Sequence, residues 1–237
     1  MKNLLLASVL TAAFGLSGAS AAIIVNGDFT GAANGELGFN TTVLGWSAPD
    51  YPTGYDFLWN GGTADTTGAT GFFGNVTLWT STPAPGGGAT VGGIAAFHDG
   101  PISQLVNLTP NRPVTITFSW AGAQQKGFNG TDMVGWDVSL GSRTQATKLV
   151  EVPSHGFTGW QTASFTFTPT SSSEKLSFLA AGQGPDHEVF SLVSGVRATQ
   201  AVVPELSTWA MMLLGAAGLG YAGLRRARRE SVPRLMA

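Results

Sequence analysis

The sequence contains no cysteine among its 237 residues. Without thiols, the chain cannot form a disulfide, bind zinc through thiolates or carry out thiol catalysis. Other catalytic patterns are missing too: the three histidines show no metal-ligand spacing, and the Gly-x-Ser-x-Gly motif of serine hydrolases does not occur. We therefore predict a non-catalytic protein with no metal site and no cofactor. A glycosidase is a remote alternative, because the spacing of two catalytic carboxylates is set in space and leaves no local motif.

Charged side chains are scarce, at 11% of the chain. Residues 22–203 carry twelve acidic and six basic side chains, a net charge of −6, and the basic ones form no run. A protein that binds nucleic acid needs a basic patch to neutralise phosphates, so we expect no nucleic-acid partner. The length of this region, about 180 residues, suits one domain with a substantial core.

The N-terminus has the pattern of a secretory signal peptide. Lys2 precedes an apolar stretch from Leu4 to Leu16, and the small-x-small sequence Ala19-Ser20-Ala21 follows it. The apolar stretch is too short for a stable membrane span. We predict that residues 1–21 direct export through the inner membrane, which places the following region outside the cytoplasm.

Glycine and proline punctuate residues 22–199, and the intervals between them are rich in Thr, Val, Phe and Trp. In the clearest interval, from Val114 to Trp120, the even positions are apolar and the odd positions carry hydroxyl groups. This alternation is the pattern of a strand with one buried face. We find neither helical periodicity nor a repeat of about 40–50 residues, which favours a sandwich over a propeller. Residues 22–199 are therefore predicted to form an all-β ectodomain, a two-sheet sandwich of the jelly-roll type.

Four short motifs occur in this region: Val25-Asn26-Gly27-Asp28-Phe29, Gly45-Trp46, Ile102-Ser103-Gln104, and Trp160 ahead of Phe165-Thr166-Phe167-Thr168. Together they resemble galactose-binding-like domains, which are jelly rolls that include many carbohydrate-binding modules. The resemblance covers residues 23–199 and implies the same fold, while fold alone does not fix function. Some of these domains bind a structural calcium through acidic residues after the first Phe and in the last strand. This chain has Thr30 after Phe29 and no acidic residue from Phe190 to Val196, so we do not expect that site.

Six tryptophans lie in residues 22–203 and provide the best functional lead. Flat aromatic rings stack on the apolar face of a sugar, so exposed tryptophans in a β-sandwich suggest carbohydrate binding. Three tryptophans share a face with aliphatic residues or follow a glycine turn and are expected in the core: Trp46, Trp120 and Trp136. The sequence does not decide whether Trp59 lies in the core or at the surface. Trp79 has the opposite parity to Leu78, and Trp160 the opposite parity to Phe165, so these two are the candidate carbohydrate-binding residues. The simpler alternative for both is a structural role at a sheet edge.

The end of the chain combines an apolar run with a basic cluster. Leu206 to Leu224 make 19 largely apolar positions, which as a helix cover roughly 28 Å, close to one hydrocarbon core. The basic cluster that follows consists of Arg225, Arg226, Arg228 and Arg229. We predict a linker over residues 200–208, a transmembrane helix over 209–224 and a basic cytoplasmic tail over 225–237, with the arginines as a stop-transfer signal.

Pro204-Glu205 and Ser207-Thr208-Trp209 stand at the start of this segment. With the glycine-rich run and the arginines, they resemble the PEP-CTERM sorting tail of exported bacterial proteins. Leu206 departs from that signature, because its second proline would stand there. The resemblance implies an exosortase as partner, processing at Pro204-Glu205 and transfer to the cell surface or extracellular matrix. A plain single-span anchor is the alternative.

Two functions of different classes fit these features. The first is an exported, membrane-tethered and then exosortase-processed surface protein that binds or organises extracellular polysaccharide without catalysis. The second is a structural or adhesive matrix protein that associates with copies of itself and has no sugar site. The low charge of residues 22–203 permits such self-contacts.

Overall fold

The structure is a computed structural model, and it describes residues 22–49, 52–94, 100–182, 188–200 and 206–230. The predicted signal peptide and the sorting residues Pro204 and Glu205 lie outside the described residues. The backbone of Ser207, Thr208 and Trp209 is described, whereas their side chains and those of Arg228 and Arg229 are not. The chain divides into two units, one ending at Thr199 and the other beginning at Gln200.

The first unit is built from short strands joined by glycine-rich turns. The described strands are β1 Gly35–Glu36, β2 Asp56–Trp59, β3 Ala69–Gly71, β4 Gly74–Val76, β5 Thr90–Gly93, β6 Ile102–Asn107, β7 Val114–Gln124, β8 Asp132–Leu140, β9 Arg143–Ala146, β10 Val150–Val152, β11 Gln161–Phe167, β12 Ser173–Gly182 and β13 Val189–Gln200. The second unit contributes the helix α1 Leu206–Glu230.

Two sheets make up the sandwich. One has six strands in the order β1-β2-β5-β13-β7-β11, and the other has the order β10-β8-β12-β6 with β9 paired to β8. Strands β3 and β4 form a separate hairpin. The chain alternates between the two sheets from β5 to β8 and again from β11 to β13, as in a jelly roll. The predicted all-β, two-sheet architecture is confirmed.

The main core lies between the sheets and follows the predicted alternation. On β7, Val114, Ile116, Phe118 and Trp120 are buried and belong to this core, while the intervening hydroxyl residues are half-buried on the other face. Phe118 meets Phe178 of β12 edge to face, with ring centroids 5.0 Å apart. Trp136 is fully buried, as predicted, and its Nε1 donates a hydrogen bond to the carbonyl of Leu192 at 3.1 Å.

Gln104 connects the motifs that carry the galactose-binding-like resemblance. Its side-chain oxygen accepts a hydrogen bond from the backbone N–H of Val25 at 2.8 Å. Its side-chain nitrogen donates to the carbonyls of Val25 and Gly45, each also at 2.8 Å. The side chain is buried, so these bonds satisfy polar groups that would otherwise destabilise the edge of the sandwich. The role of this motif residue is therefore structural.

A second apolar core covers part of the outer face of the six-stranded sheet. Phe57 and Trp59 of β2, Phe190 and Leu192 of β13, and Leu78 meet there, all fully buried. Trp59, undecided from sequence, donates from Nε1 to the carbonyl of Val76 at 3.1 Å. Because the connection that carries β3 and β4 lies over this area, this part of the sheet is buried on both faces. The outer face of β7 and β11 beyond it is open.

The second unit contains α1, which begins at Leu206, includes the arginine cluster and ends at Glu230. The expected transmembrane helix over residues 209–224 is not found: within the described part of the chain, no helix has both the length and the apolar character needed to cross a membrane.

Candidate functional site

Trp79 projects outward from a short extended segment. Val76 and Leu78 are buried, whereas Trp79 is 37% exposed, which matches the parity expected from sequence. Leu78 pairs with Gln125 in an isolated antiparallel bridge, and the N–H of Trp79 donates to the carbonyl of Gln124 at 2.8 Å. The end of β7 therefore fixes the backbone that presents this ring.

Polar and charged groups surround the Trp79 ring. The ammonium of Lys126 lies 5.0 Å from the ring centroid, a cation–π distance, and forms a 2.6 Å ion pair with Asp65. The imidazole of His155 lies 5.3 Å from the indole, centroid to centroid. Nε2 of His155 is 2.7 Å from the side-chain oxygen of Asn129. The ammonium therefore lies over the indole ring, the imidazole lies near that ring, and the Asn129 amide contacts the imidazole.

Trp160 stands just before β11 and is half-buried. Its Nε1 donates to the carbonyl of Thr82 at 3.2 Å, and its ring meets Phe157 edge to face at 6.2 Å. It also packs against the second core, which includes Ala121 and Ala123 of β7. The ring is thus held at the outer face of the six-stranded sheet, with part of its surface in solvent.

The two loops that carry Trp79 and Trp160 contact each other. Residues 79–82 contact residues 155–160 at both ends, since Trp79 meets His155 and the carbonyl of Thr82 accepts the hydrogen bond from Trp160. We call the group formed by Trp79, Lys126, His155 and Trp160 the tryptophan surface. The contacts between these loops link residues distant in the chain, and no sequence pattern signals them.

The remaining tryptophans are structural. Trp120 is buried as expected. Trp46 is half-buried, with its ring 4.9 Å from that of Phe29 and its Nε1 donating to the carbonyl of Asn26 at 3.1 Å. A cavity of about 140 Å³ adjoins these two rings and is lined mainly by apolar side chains. Its lining includes Val43, Val91 and Ile102 of the main core.

Buried acidic groups occur on β1 and β2. Asp56 is 4% exposed, and its Oδ2 has no hydrogen-bond partner in the described structure. Burial raises the pKa of Asp56 well above its ordinary value, and the negative charge of Glu36 raises it further. Burial, with Glu36 and Glu188, raises the pKa of Tyr55 to about 12. Burial thus favours the protonated form of both groups.

Acidic residues do not converge on a metal site in the part of the chain that the structure describes, since no group of three or more potential ligands lies together there. Asp28, which follows the glycine of the Val-Asn-Gly-Asp-Phe motif, is bound by Arg197. The guanidinium donates to both carboxylate oxygens, at 2.7 and 2.8 Å. Its contact in this structure is therefore an ion pair that joins the N-terminal segment to β13.

An exposed aromatic cluster was not predicted from sequence. Phe39, Phe72 and Phe73 are 47%, 56% and 64% exposed. Phe72 meets Phe39 at 5.8 Å and Phe73 at 5.0 Å, both edge to face. We call these three residues the phenylalanine patch. The signal that could have found it is the sequence Gly-Phe-Phe-Gly, which places two large apolar residues in the turn between β3 and β4.

No protein-family model matches the chain, and no curated protein matches it. Solved structures do resemble it. A TmCBM61 structure in complex with beta-1,4-galactotriose has a TM-score of 0.40 at 13% identity and covers 77% of this chain and 100% of its own. The CBM22-1 xylan-binding domain from Paenibacillus barcinonensis Xyn10C has a TM-score of 0.36 at 14% identity and covers 68% and 88%. The K3 cleaved adhesin domain of Lys-gingipain from Porphyromonas gingivalis has a TM-score of 0.40 at 13% identity and covers 70% and 98%. Such TM-scores are too low to transfer a ligand or a site.

Proposed function

We propose that this protein is a non-catalytic module that binds extracellular polysaccharide through the tryptophan surface. The observation that carries the proposal is the placement of Trp79 and Trp160 on two loops that contact each other. An indole face covers the apolar face of a sugar ring, while nearby polar groups bind its hydroxyls. Lys126 and His155 contact Trp79, and Asn129 lies next to His155.

Rigidity supports this role. A binding surface that is ordered before the ligand arrives loses less conformational entropy on binding. Trp160 is held by a hydrogen bond to Thr82 and by its packing on the second core. Trp79 is held through its backbone and by Lys126, whose own position is fixed by Asp65. Both rings are therefore presented in defined orientations.

Trp79→Ala is expected to abolish retardation of the protein in affinity electrophoresis through a polysaccharide gel, and to shift the melting temperature by no more than a few degrees. The ring is exposed, so its removal takes little from the core. Trp160→Ala should also abolish retardation, with a larger loss of stability because that ring packs on the second core.

Leu105→Ala is the matched control for these variants. Leu105 is a large exposed apolar residue on β6, in the other sheet, with 71% exposure. It should leave both retardation and melting temperature unchanged. If Trp79→Ala is retarded as strongly as the control, Trp79 is not part of the site. If Trp79→Ala unfolds the protein, its role is structural.

We propose in addition that the chain is exported and then processed by an exosortase, which transfers it to the cell surface or extracellular matrix. The support is the sequence alone: the signal-peptide pattern and the order Pro204-Glu205, apolar run and arginines.

Processing predicts that mature protein from cells lacks residues 225–237. Glu205→Ala should leave the full-length chain in place, because it removes the charge of the signature. Leu206→Pro should preserve or increase processing, since it restores the residue of the sorting signature. Intact-mass spectrometry of the purified protein distinguishes these results. Detection of Arg225 to Ala237 on the mature wild-type chain would show that the segment is not removed and would contradict processing.

Self-association is a second candidate function, and the phenylalanine patch favours it. Phenylalanine has no polar group to bind a sugar hydroxyl, and three contacting exposed rings form an apolar area that a second copy could cover. Phe72→Ser combined with Phe73→Ser should then abolish concentration-dependent assembly in analytical ultracentrifugation, whereas Leu105→Ser should not. A wild-type protein that stays monomeric at every concentration would exclude this function.

A further inference from the structure

A ladder of hydroxyl groups runs along the open outer face of β7 and β11. The register of the two strands places their outward residues opposite each other in three rungs: Thr115 with Thr166, Thr117 with Ser164, and Ser119 with Thr162. The hydroxyl oxygens of the first two rungs lie 3.1 and 3.3 Å apart, within hydrogen-bonding distance. We call these six residues the hydroxyl ladder.

The ladder has unused hydrogen-bonding capacity. A hydroxyl group has one donor and two acceptor positions, so a single bond across a rung leaves acceptors free on both residues. The three β11 residues of the ladder are exposed, and the three on β7 are half-buried. A ligand lying on this face can therefore reach one hydroxyl pair after another along the strands.

The ladder continues directly from the tryptophan surface. Trp160 precedes β11 and has the same parity as Thr162, Ser164 and Thr166, so it lies at one end of the ladder on the same face. Six residues separate Trp160 from Thr166, which in an extended strand is about 20 Å. The whole strip thus begins with an aromatic ring and continues as paired hydroxyls.

The ladder is also free of charge, which is unusual for its position. β11 is the edge strand of its sheet, and edge strands commonly carry charged residues that prevent pairing with other chains. No residue from Gln161 to Phe167 is charged. Side chains of β9 protect the edge instead: Gln145 donates to the carbonyl of Thr166 at 2.8 Å, and Arg143 to that of Thr168 at 2.7 Å. The six ladder residues carry no charge and can be covered without the cost of desolvating one, whereas the Arg143 guanidinium lies at the edge beside Thr168.

We propose that the hydroxyl ladder extends the tryptophan surface and that the ligand is an uncharged polysaccharide chain lying along β7 and β11. The inference rests on the proposed function and specifies its substrate class: an extended neutral glycan, bound along its length rather than at one end. Sugar hydroxyls would replace water on the ladder, while the sugar face at the end of the strip stacks on Trp160. Affinity should therefore depend on chain length.

The test compares a ladder variant, Thr162→Val/Ser164→Ala/Thr166→Val, with a control variant, Ser139→Ala/Thr144→Val. The control removes a hydroxyl pair of the same kind, 2.7 Å apart, between β8 and β9 of the other sheet. The full chain is first run in native gels containing galactan, xylan, galactomannan or hydroxyethylcellulose, with alginate as a charged polymer. The trisaccharide and hexasaccharide of the polymer that retards it most are then titrated calorimetrically.

For the wild type, we expect the hexasaccharide to bind about tenfold more tightly than the trisaccharide. The ladder variant should lose most of that advantage and keep its affinity for the trisaccharide, whereas the control variant should keep both. If the advantage survives in the ladder variant, or if alginate binds best, the inference is wrong while the tryptophan surface stands. If no polymer retards the wild type, the inference and the proposed function both fail. Thermal unfolding of each variant checks that the fold is intact.

Discussion

Replacing Phe118 with alanine should lower the free energy of unfolding by about 3–5 kcal/mol, the usual cost of removing a buried ring. The side chain is 1% exposed, and its ring lies 5.0 Å from that of Phe178 and 5.7 Å from that of Phe165. These contacts join both sheets at the centre of the main core.

Thr117→Ala is the matched control, one position along β7 on the opposite face. Its hydroxyl lies 3.3 Å from that of Ser164, and the half-buried side chain contributes little to the core. We expect a cost well under half that of Phe118→Ala. Urea denaturation of both variants gives the two values. Equal losses would show that the two faces of β7 are wrongly assigned.

Asp56→Asn should make the protein more stable at neutral pH, with a gain that grows as pH rises. Burial and the charge of Glu36 raise the pKa of Asp56, so the folded state keeps this proton after the unfolded state has lost it. Below about pH 4, both states are protonated and the group costs nothing. As the pH rises towards the folded-state pKa, stability falls by up to about 1.4 kcal/mol per pH unit. Asparagine has no proton to lose, so the variant escapes this fall.

Denaturation of both proteins between about pH 4 and pH 7 measures the effect, and the difference between them isolates Asp56 from other titrating groups. Glu188 has a pKa raised by burial, while hydrogen bonds from Thr170 and Ser171 help lower that of Glu174. Both contributions are the same in the two proteins. A constant difference between Asp56→Asn and the wild type would contradict the buried state of Asp56.

The two-sheet fold was predictable because several strands bury one face only. β7 and β8 alternate strictly over much of their length, so both their strand character and their buried residues could be read from sequence. The second core could not. The sequence Asp-Phe-Leu-Trp of β2 shows no alternation of apolar and polar residues, because both faces of this strand are buried. Leu58 enters the main core, while Phe57 and Trp59 face the second core. No pattern in the sequence of residues 60–84 predicts that this connection folds back over the sheet.

The candidate site was predictable in part. Trp79 has the opposite parity to Leu78, and Trp160 the opposite parity to Phe165, which identified both tryptophans as residues outside the main core. Their neighbours could not be predicted, because Lys126 and His155 reach Trp79 through contacts between distant segments. At the C-terminus, length and apolar content predicted a membrane span. The helix is present, but no helix among the described residues is long and apolar enough to cross a membrane.

Affinity electrophoresis of the wild-type chain beside Trp79→Ala tests most directly whether the tryptophan surface binds polysaccharide. Native gels are cast with and without galactan, xylan, galactomannan or hydroxyethylcellulose, and each migration is compared with that of an unrelated protein of similar size. We expect at least one of these polymers to retard the wild type, and we expect Trp79→Ala, still folded by its melting curve, to migrate as it does in the gel without polymer. Wild type and variant migrating alike in every gel would show that Trp79 does not bind these polysaccharides.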